Sequence, residues 1–487
     1  MKRISALFLV FSLMLFAVPS AFAYEKDVRD VPQIRIVTKN GNGNTLLKSD
    51  GYTEASISVT DTNGSVLEND VLLKVRGNST ALDWVTKKSF TFKFDKKTDV
   101  LHMGSAKKWA LLANCFDPTL IRNYIGLHTA KELSLPYTSE QRIVEVWIDN
   151  EYRGMYTLTE PIGDSKTRVD IDTDNGDFIV EYEATRSEDD VSYMTIDGLR
   201  FAAKEPSEPD AAQYAHIREV MTEIIAVLKS GVKSEIEQKI DVDSFVKYYL
   251  LNEYLKTVDF GFSSVFFFYK NGILYAGPPW DYDLSMGNSN PDYSSNAKNA
   301  YVTNGLFANQ KNLYAILCRY DWFNYKAKKD YEAYHEIFEN IYPKGGLIDT
   351  LLEDYGGVIE RNYTEAGWSP SRYWVNVQKK PLSTYAENLS YLKNWCEERD
   401  IWLTEYFASQ EYYLRGDSDG DEKVTVLDAT NIQKILANLI TDVDDSTFLR
   451  SKTSNEQLSI LDATAIQKYL ANLSNPNRID EAVKTTE

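Results

Sequence analysis

The chain has 487 residues, and its 72 acidic against 53 basic side chains leave a formal net charge of −19. That balance argues against a nucleic-acid partner, because phosphate-backbone binding needs a basic face. Three widely spaced cysteines (Cys115, Cys318, Cys396) and four histidines argue against a disulfide framework, a zinc cluster and a histidine-rich metal site, and the length suits two or three domains around a large core.

Lys2 and Arg3, apolar Ala6 to Val18 and the small-residue run Ala21-Phe22-Ala23 have the zones of a secretory signal peptide over 1–23. Cleavage there would leave Tyr24 first. No later stretch reaches the roughly 18 consecutive apolar residues that a membrane span needs, so the mature chain is expected outside the cell without a transmembrane segment.

From Pro32 to Asp190 the pattern is strand-like. Gln33 to Thr38, Thr53 to Thr60, Val71 to Val75, Phe90 to Phe94, Val144 to Ile148, Met155 to Leu158 and Phe178 to Glu183 alternate apolar with polar residues, between turn clusters such as Asn40 to Gly43. Pro118 to Leu133 interrupts them with a helical period. Beyond Pro209 the period changes: Ala211 to Ser230 and Ser244 to Lys256 predict helices, and Val265 to Tyr269 with Ile273 to Tyr275 predict a hairpin over Lys270-Asn271-Gly272. Helices are then expected to dominate from Lys311 to Ser409. The fold class is α+β, a β-rich part followed by a helical one, rather than a sandwich or an α/β barrel. The 32 tyrosines are expected to fill cores and interfaces more than to stack on sugars.

The chemistry concentrates after that hairpin. Gly277-Pro-Pro-Trp280-Asp281-Tyr-Asp283 spaces two aspartates at i, i+2, which in extended backbone sends both carboxylates to one side. There they repel unless a cation or a proton joins them. Upstream, in order, stand Arg76-Gly77-Asn78-Ser79-Thr80, Lys87-Lys88-Ser89-Phe90, Gly154 to Glu160 and Val258-Asp259. This constellation resembles the spore-coat-H (CotH) family of atypical kinase-like proteins over residues 30–405. The resemblance implies a diverged kinase-like fold and transfer of phosphoryl from ATP, with Mg2+ or Mn2+, to a hydroxyl on a secreted protein. It assigns Asp259 as catalytic aspartate and Asp281 and Asp283 as metal ligands. Arg76, Asn78 and Ser79 with Lys88 or Lys93 would cradle phosphates, because phosphoryl transfer needs positive groups and backbone donors there, and Glu160 would orient the lysine. One position departs: family members commonly carry Asn five residues after the catalytic Asp, and here stands Ser264. Asp259-Phe260-Gly261 spells the DFG of ordinary kinases by coincidence, since no His-Arg-Asp loop precedes it.

Near the end, Val426 to Leu439 recurs as Ile460 to Leu473, eleven of fourteen positions identical. Before the first copy, Asp417, Asp419, Asp421, Thr425 and Asp428 supply side-chain oxygens at positions 1, 3, 5, 9 and 12, and Lys423 a backbone carbonyl at 7. That is the EF-hand-like spacing by which a loop gives Ca2+ its roughly six to eight oxygens. Each loop feeds a short amphipathic helix, with Ala429, Ile432, Leu436 and Leu439 as its stripe and the other repeat as its partner.

This tail, over 414–475, resembles a dockerin. The resemblance implies a small all-α module that binds calcium and plugs into a cohesin domain of a scaffoldin in a cellulosome-type, polysaccharide-degrading assembly, so that the protein is secreted and held at the cell surface. Position 6 of the first loop, usually Gly, is Glu422, which weakens the turn. The second loop, Ser451, Thr453, Asn455, Ser459 and Asp462, offers one carboxylate, so one strong and one weak calcium site are expected.

Two other functions compete with phosphoryl transfer, the second suggested only by the company that dockerins keep. With Ser264 in the place of Asn, the kinase-like part could be a non-catalytic structural or adhesive component. A glycoside hydrolase would need two carboxyls roughly 5–10 Å apart across a cleft, and Glu181 with Glu183 are the candidates.

Overall fold

A computed structural model describes residues 31–184, 193–368, 381–454 and 457–485. The expected leader, 1–23, and Asn455 of the second loop lie outside the described residues.

The β-rich part is built on seven strands: β1 (Gln33–Thr38), β2 (Thr53–Thr60), β3 (Val66–Arg76), β4 (Ser89–Asp99), β5 (Ser105–Leu112), β6 (Gln141–Ile148) and β7 (Glu151–Thr159). They close into a barrel in the order β1-β2-β3-β4-β5-β7-β6, sealed by parallel pairing of β6 with β1. Closure leaves no exposed edge to template a second chain. The inward positions follow the two-residue period: Thr38, Ala55, Val71 and Phe94 pair across four strands and are all buried. The next row, Glu54, Leu72, Lys93 and Lys108, therefore faces outward.

A second sheet has the order β12-β11-β8-β10-β9, with β8 at Phe178–Tyr182, β9 at Tyr193–Ile196, β10 at Leu199–Glu205, β11 at Val265–Lys270 and β12 at Ile273–Ala276. The β11–β12 turn has two residues in the left-handed region, Asn271 (φ 53°) and Gly272 (φ 90°), as a tight hairpin requires. Long helices lie between β10 and β11 at Ala211–Ser230 and Val242–Leu255, and after β12 at Asp321–Glu339, Leu347–Thr364 and Tyr385–Ala408. Val242–Leu255 is buried around nearly its whole circumference and forms the spine of the helical part. One continuous apolar core joins barrel and helices, and Tyr156, Tyr248, Tyr254, Tyr282 and Tyr314 are wholly inside. The three cysteines are unpaired, and among the described residues no helix is long and apolar enough to cross a membrane.

The tail pairs helix Val426–Leu436 with Ile460–Leu470 around Ala429, Ile432, Ala463, Ile466 and Ile479. The expected stripe is corrected at its far end. Leu436 and Leu439 are 39% and 75% exposed, because the helix ends at Leu436 and the chain turns away with Asn438 at φ 57°. A two-stranded clasp of Tyr412–Leu414 with Ala482–Lys484 closes the unit.

Candidate active-site cleft

A cleft of about 550 Å³ lies between the outward face of β3–β5 and the loops that follow Val242–Leu255 and β12. Its floor is set by strand alternation. Lys74 and Arg76 on β3 pair with Thr91 and Ser89 on β4, and all four line the cleft. β3 ends in a sharp turn at Gly77 (φ 101°), where a Cβ would sit 1.9 Å from Thr80 Oγ1, so only glycine lets Asn78, Ser79 and Thr80 fold back over the floor. Lys48 Nζ donates to Asn78 Oδ1 at 3.0 Å. Lys108 from β5 and Lys204 from β10 complete a basic surface. The Lys74 amine is held below its ordinary range by burial and then by Lys108, Arg76 and Lys48, a crowding of like charge that an anion would relieve.

The facing wall is acidic. Asp259 sits in a one-turn helix, Val258–Gly261, just past the end of Val242–Leu255. Asp281 and Asp283 follow β12, with Asp281 at φ 68°, a left-handed conformation that a non-glycine residue keeps only when its surroundings enforce it. The enforcement is visible. The Tyr282 amide donates to Asn123 Oδ1 at 2.6 Å, and the Tyr282 ring packs on Gly126, where a Cβ would lie 2.4 Å from it. Asn288 Nδ2 donates to the Asp283 carbonyl at 2.7 Å. Arg122, paired with Asp117 at 2.6 Å, donates to the Ser285 and Met286 carbonyls. Tyr282 thus points into the core while its two neighbours line the cleft.

Burial, then Asp281 and Glu183, push the Asp259 carboxyl up to about 7. Asp283 is held well above the carboxylate range by burial and by Asp281, Asp259 and Asp117. Asp281 is raised by burial and opposed by Arg76 and by the Ser264 hydroxyl, 3.4 Å away. Arg76 is itself drawn down to about 10 by burial, opposed by Asp281. Its guanidinium carbon stands 5.3 Å from the Trp280 ring centroid, and its Nη1 is buried with no hydrogen-bond partner among the described residues. An unpartnered guanidinium nitrogen in a cleft is a site for an anion's oxygen.

Of the candidates from sequence, Arg76, Asn78, Ser79, Asp259, Asp281 and Asp283 line this one cleft. Lys88, Lys93 and Glu160 do not. Lys88 Nζ is held by the carbonyls of Ala81 and Leu82, Lys93 faces a neighbouring groove, and the Glu160 carboxylate accepts from Ser165 and Thr167 at 2.8 and 3.0 Å. The alternative carboxyl pair divides: Glu181 lines the cleft and accepts from the Ser264 amide at 3.1 Å, and Glu183 is buried beside Asp259. Lys74, Lys108 and Lys204 also line the cleft and belong to none of the motifs read from the sequence. Lys74 was within reach, two residues before Arg76 and so on the same strand face.

A family model described as CotH kinase protein matches residues 73–403. The chain belongs to the CotH kinase protein family. No curated protein matches it. The CotH match begins within β3, later than the expected start at residue 30, takes in Arg76, the acidic wall of the cleft and the helical part, and ends before the tail.

The tail holds a second cluster. Ligand oxygens of Asp417, Asp419 and Asp421 lie within 4.8 Å of one another, the one such trio of His, Cys, Asp or Glu among the described residues. The CotH carboxylates are therefore spread more widely than these. Asp428, buried, closes the loop by accepting from the Ser418 amide at 2.7 Å and the Thr425 amide at 2.7 Å. Thr425 caps the helix and the Lys423 amide donates to Asp421 at 3.0 Å. In the second loop Asp462 plays the part of Asp428, accepting from the Thr453 and Ser459 amides at 2.9 and 2.8 Å. An all-oxygen set of three carboxylates suits a hard divalent cation of calcium's size.

Proposed function

We propose that this CotH chain is a protein kinase that moves a phosphoryl group from ATP to a hydroxyl on an extracellular protein. The observation that carries the reading is the opposition, across one cleft, of half-buried Asp259 and Asp281 and buried Asp283 to a basic floor containing an Arg76 nitrogen with no partner among the described residues. Arg76, Asn78 and Ser79, with Lys74 and Lys108, would bind and orient the phosphates. Asp281 and Asp283 would hold Mg2+ or Mn2+, which when bound neutralises charge on the phosphates. Asp259, its proton affinity raised toward neutrality, would accept the hydroxyl proton as that oxygen bonds to phosphorus and ADP leaves. Purified chain with labelled ATP and either metal should label itself or an added acceptor, and Asp259→Ala should not. Absence of label together with absence of any nucleotide-dependent thermal shift defeats the reading.

Ser264 favours a second reading, a non-catalytic structural or adhesive component. Its hydroxyl, rather than a carboxamide, stands beside Asp281, and a hydroxyl is the poorer magnesium ligand. Nucleotide binding abolished by Asp283→Ala without phosphoryl transfer would select it.

For the tail we propose a calcium-binding dockerin that engages a cohesin of a scaffoldin, on a protein secreted to the cell surface. The carboxylate trio supports the metal, and the exposed apolar pairs Val426–Leu427 and Ile460–Leu461, one at the start of each repeat helix, support a protein-binding surface. Chelation, or Asp417→Ala with Asp428→Ala, should loosen the tail and abolish cohesin binding, because metal binding at such a loop is also folding energy. Cohesin binding that survives both treatments contradicts the proposal.

A further inference from the structure

The outward face of β3–β5 does not stop at the cleft. On β3 the same face continues from Arg76 and Lys74 to Leu72 and Asp70, and on β4 from Ser89 and Thr91 to Lys93 and Asp95. There it forms the floor of a separate groove of about 810 Å³ that extends across β2 to Val37 and Lys39 at the end of β1. The register row Leu72–Lys93–Lys108 runs from groove into cleft without a break. Asp70 and Arg76 are six residues apart on one strand, roughly 20 Å at the usual rise.

The groove's composition narrows its occupant. Asp70, Asp95, Lys93 and Lys107 form no salt bridge among the described residues, so charges of both signs stand open to a ligand. Between them Val37 and Leu72 are 46% and 39% exposed. Its aromatic ring, that of Phe94, is buried inside the barrel, so no ring is presented to stack on a sugar. The carboxylates Glu54, Asp70 and Asp95 would repel a nucleic acid. An extended polypeptide has what remains: charges of either sign, apolar side chains at alternate positions, and the same rise per residue as the strands beneath it.

We propose that this groove is the docking channel for the phosphoacceptor, an extended polypeptide of mixed charge whose hydroxyl residue reaches the cleft about six residues from the segment held at Asp70 and Asp95. The proposal rests on the phosphotransfer reading for its purpose, and its binding step is measurable without turnover. Full-length protein is applied to an array of 13-residue peptides, each with one Ser or Thr in varied charge and apolar contexts, and the best binders are titrated in solution by fluorescence anisotropy. Wild type should select peptides carrying both charge signs and one apolar residue. Asp70→Lys with Asp95→Lys should weaken those peptides at least ten-fold and shift the selection toward acidic sequences, while the thermal shift with Mg·ATP stays unchanged. Leu72→Glu, at an exposed position, should weaken the same peptides through the apolar contact. No peptide selection by wild type, or affinities within two-fold in both variants, overturns the channel. Peptide selection that depends on Asp70 and Asp95 in a protein showing no nucleotide shift upholds the channel and removes the kinase reading instead.

Discussion

The amide of Tyr282 donates to the side-chain oxygen of Asn123 at 2.6 Å, and that bond fixes the backbone between the two aspartates of the Asp-x-Asp pair. Asn123 is itself held, its Nδ2 donating to Asn114 Oδ1 at 2.9 Å. Asn123→Ala leaves a buried amide without an acceptor, a loss of about 1–3 kcal/mol, and frees Asp281 from its left-handed conformation. The expected outcome is a melting temperature lower by several degrees and Mg2+ affinity, read by nucleotide-dependent thermal shift, weaker by about ten-fold. If the protein loses stability but binds Mg2+ with wild-type affinity, Asn123 is structural and does not position the metal site.

The basic floor yields a second prediction. The Lys74 amine is crowded by Lys108, Arg76 and Lys48, so removing a charge relieves repulsion in the free protein and removes attraction in the bound one. Lys74→Ala with Lys108→Ala should leave the melting temperature of the free protein unchanged or higher. The stabilisation by tripolyphosphate should fall by most of its wild-type value, and its dependence on salt should flatten. Equal stabilisation of variant and wild type would place the phosphates elsewhere.

How far the sequence reached is clearest on the strands around that floor. β1 and β2 were legible because their alternation is clean. Asp281 with Asp283 were legible as a closely spaced pair, although a left-handed turn at Asp281 (φ 68°), and not the extended backbone the spacing predicts, brings both to the cleft. β5 was not: Ser105–Leu112 runs Ser-Ala-Lys-Lys-Trp-Ala-Leu-Leu, whose paired lysines and apolar run break the two-residue period, so nothing marks Lys108. Lys88 stands at the start of a strand, where the resemblance expects a phosphate contact, yet its neighbour Ser89 lines the cleft, so alternation turns Lys88 the other way. Closure of seven strands into a barrel depends on pairing β1 with β6 across more than a hundred residues, and local pattern carries no such information.

Lys87, beside it, has a different role and a pH signature. Its amine is buried, donating to the Met155 carbonyl at 2.7 Å and to Asn362 Oδ1 at 2.8 Å, which ties β7 to the helix Leu347–Thr364. Burial draws it down to about 7 from 10.5. Between those values the unfolded chain binds more protons than the native one, so stability rises with pH from about 7 to 10, and the cost of a buried charge is present in full below 7. Lys87→Met removes that dependence together with two hydrogen bonds. The melting-temperature difference, wild type minus variant, should therefore grow more positive from pH 6 to pH 9. A difference constant with pH would mean that the amine is charged throughout.

Glu422 stands at the loop position usually given to glycine, at φ 63°, and its carboxylate meets Lys329 of the helix Asp321–Glu339 at 3.0 Å. Two effects oppose each other. The left-handed conformation costs a non-glycine residue about 1–2 kcal/mol, whereas an ion pair between side chains 42% and 61% exposed contributes about 0.2–1 kcal/mol. Strain is the larger, so Glu422→Gly should tighten calcium binding by about three- to ten-fold in a competition titration with a chelating dye, despite loss of the ion pair. Lys329→Ala, which removes the pair and keeps the strain, should weaken it by no more than about three-fold. The Glu422 amide donates to Asp417 at 3.0 Å, so the strained turn and the first carboxylate of the loop move together. Weaker binding in Glu422→Gly than in wild type would show that the contact with Lys329, rather than the turn, governs the loop.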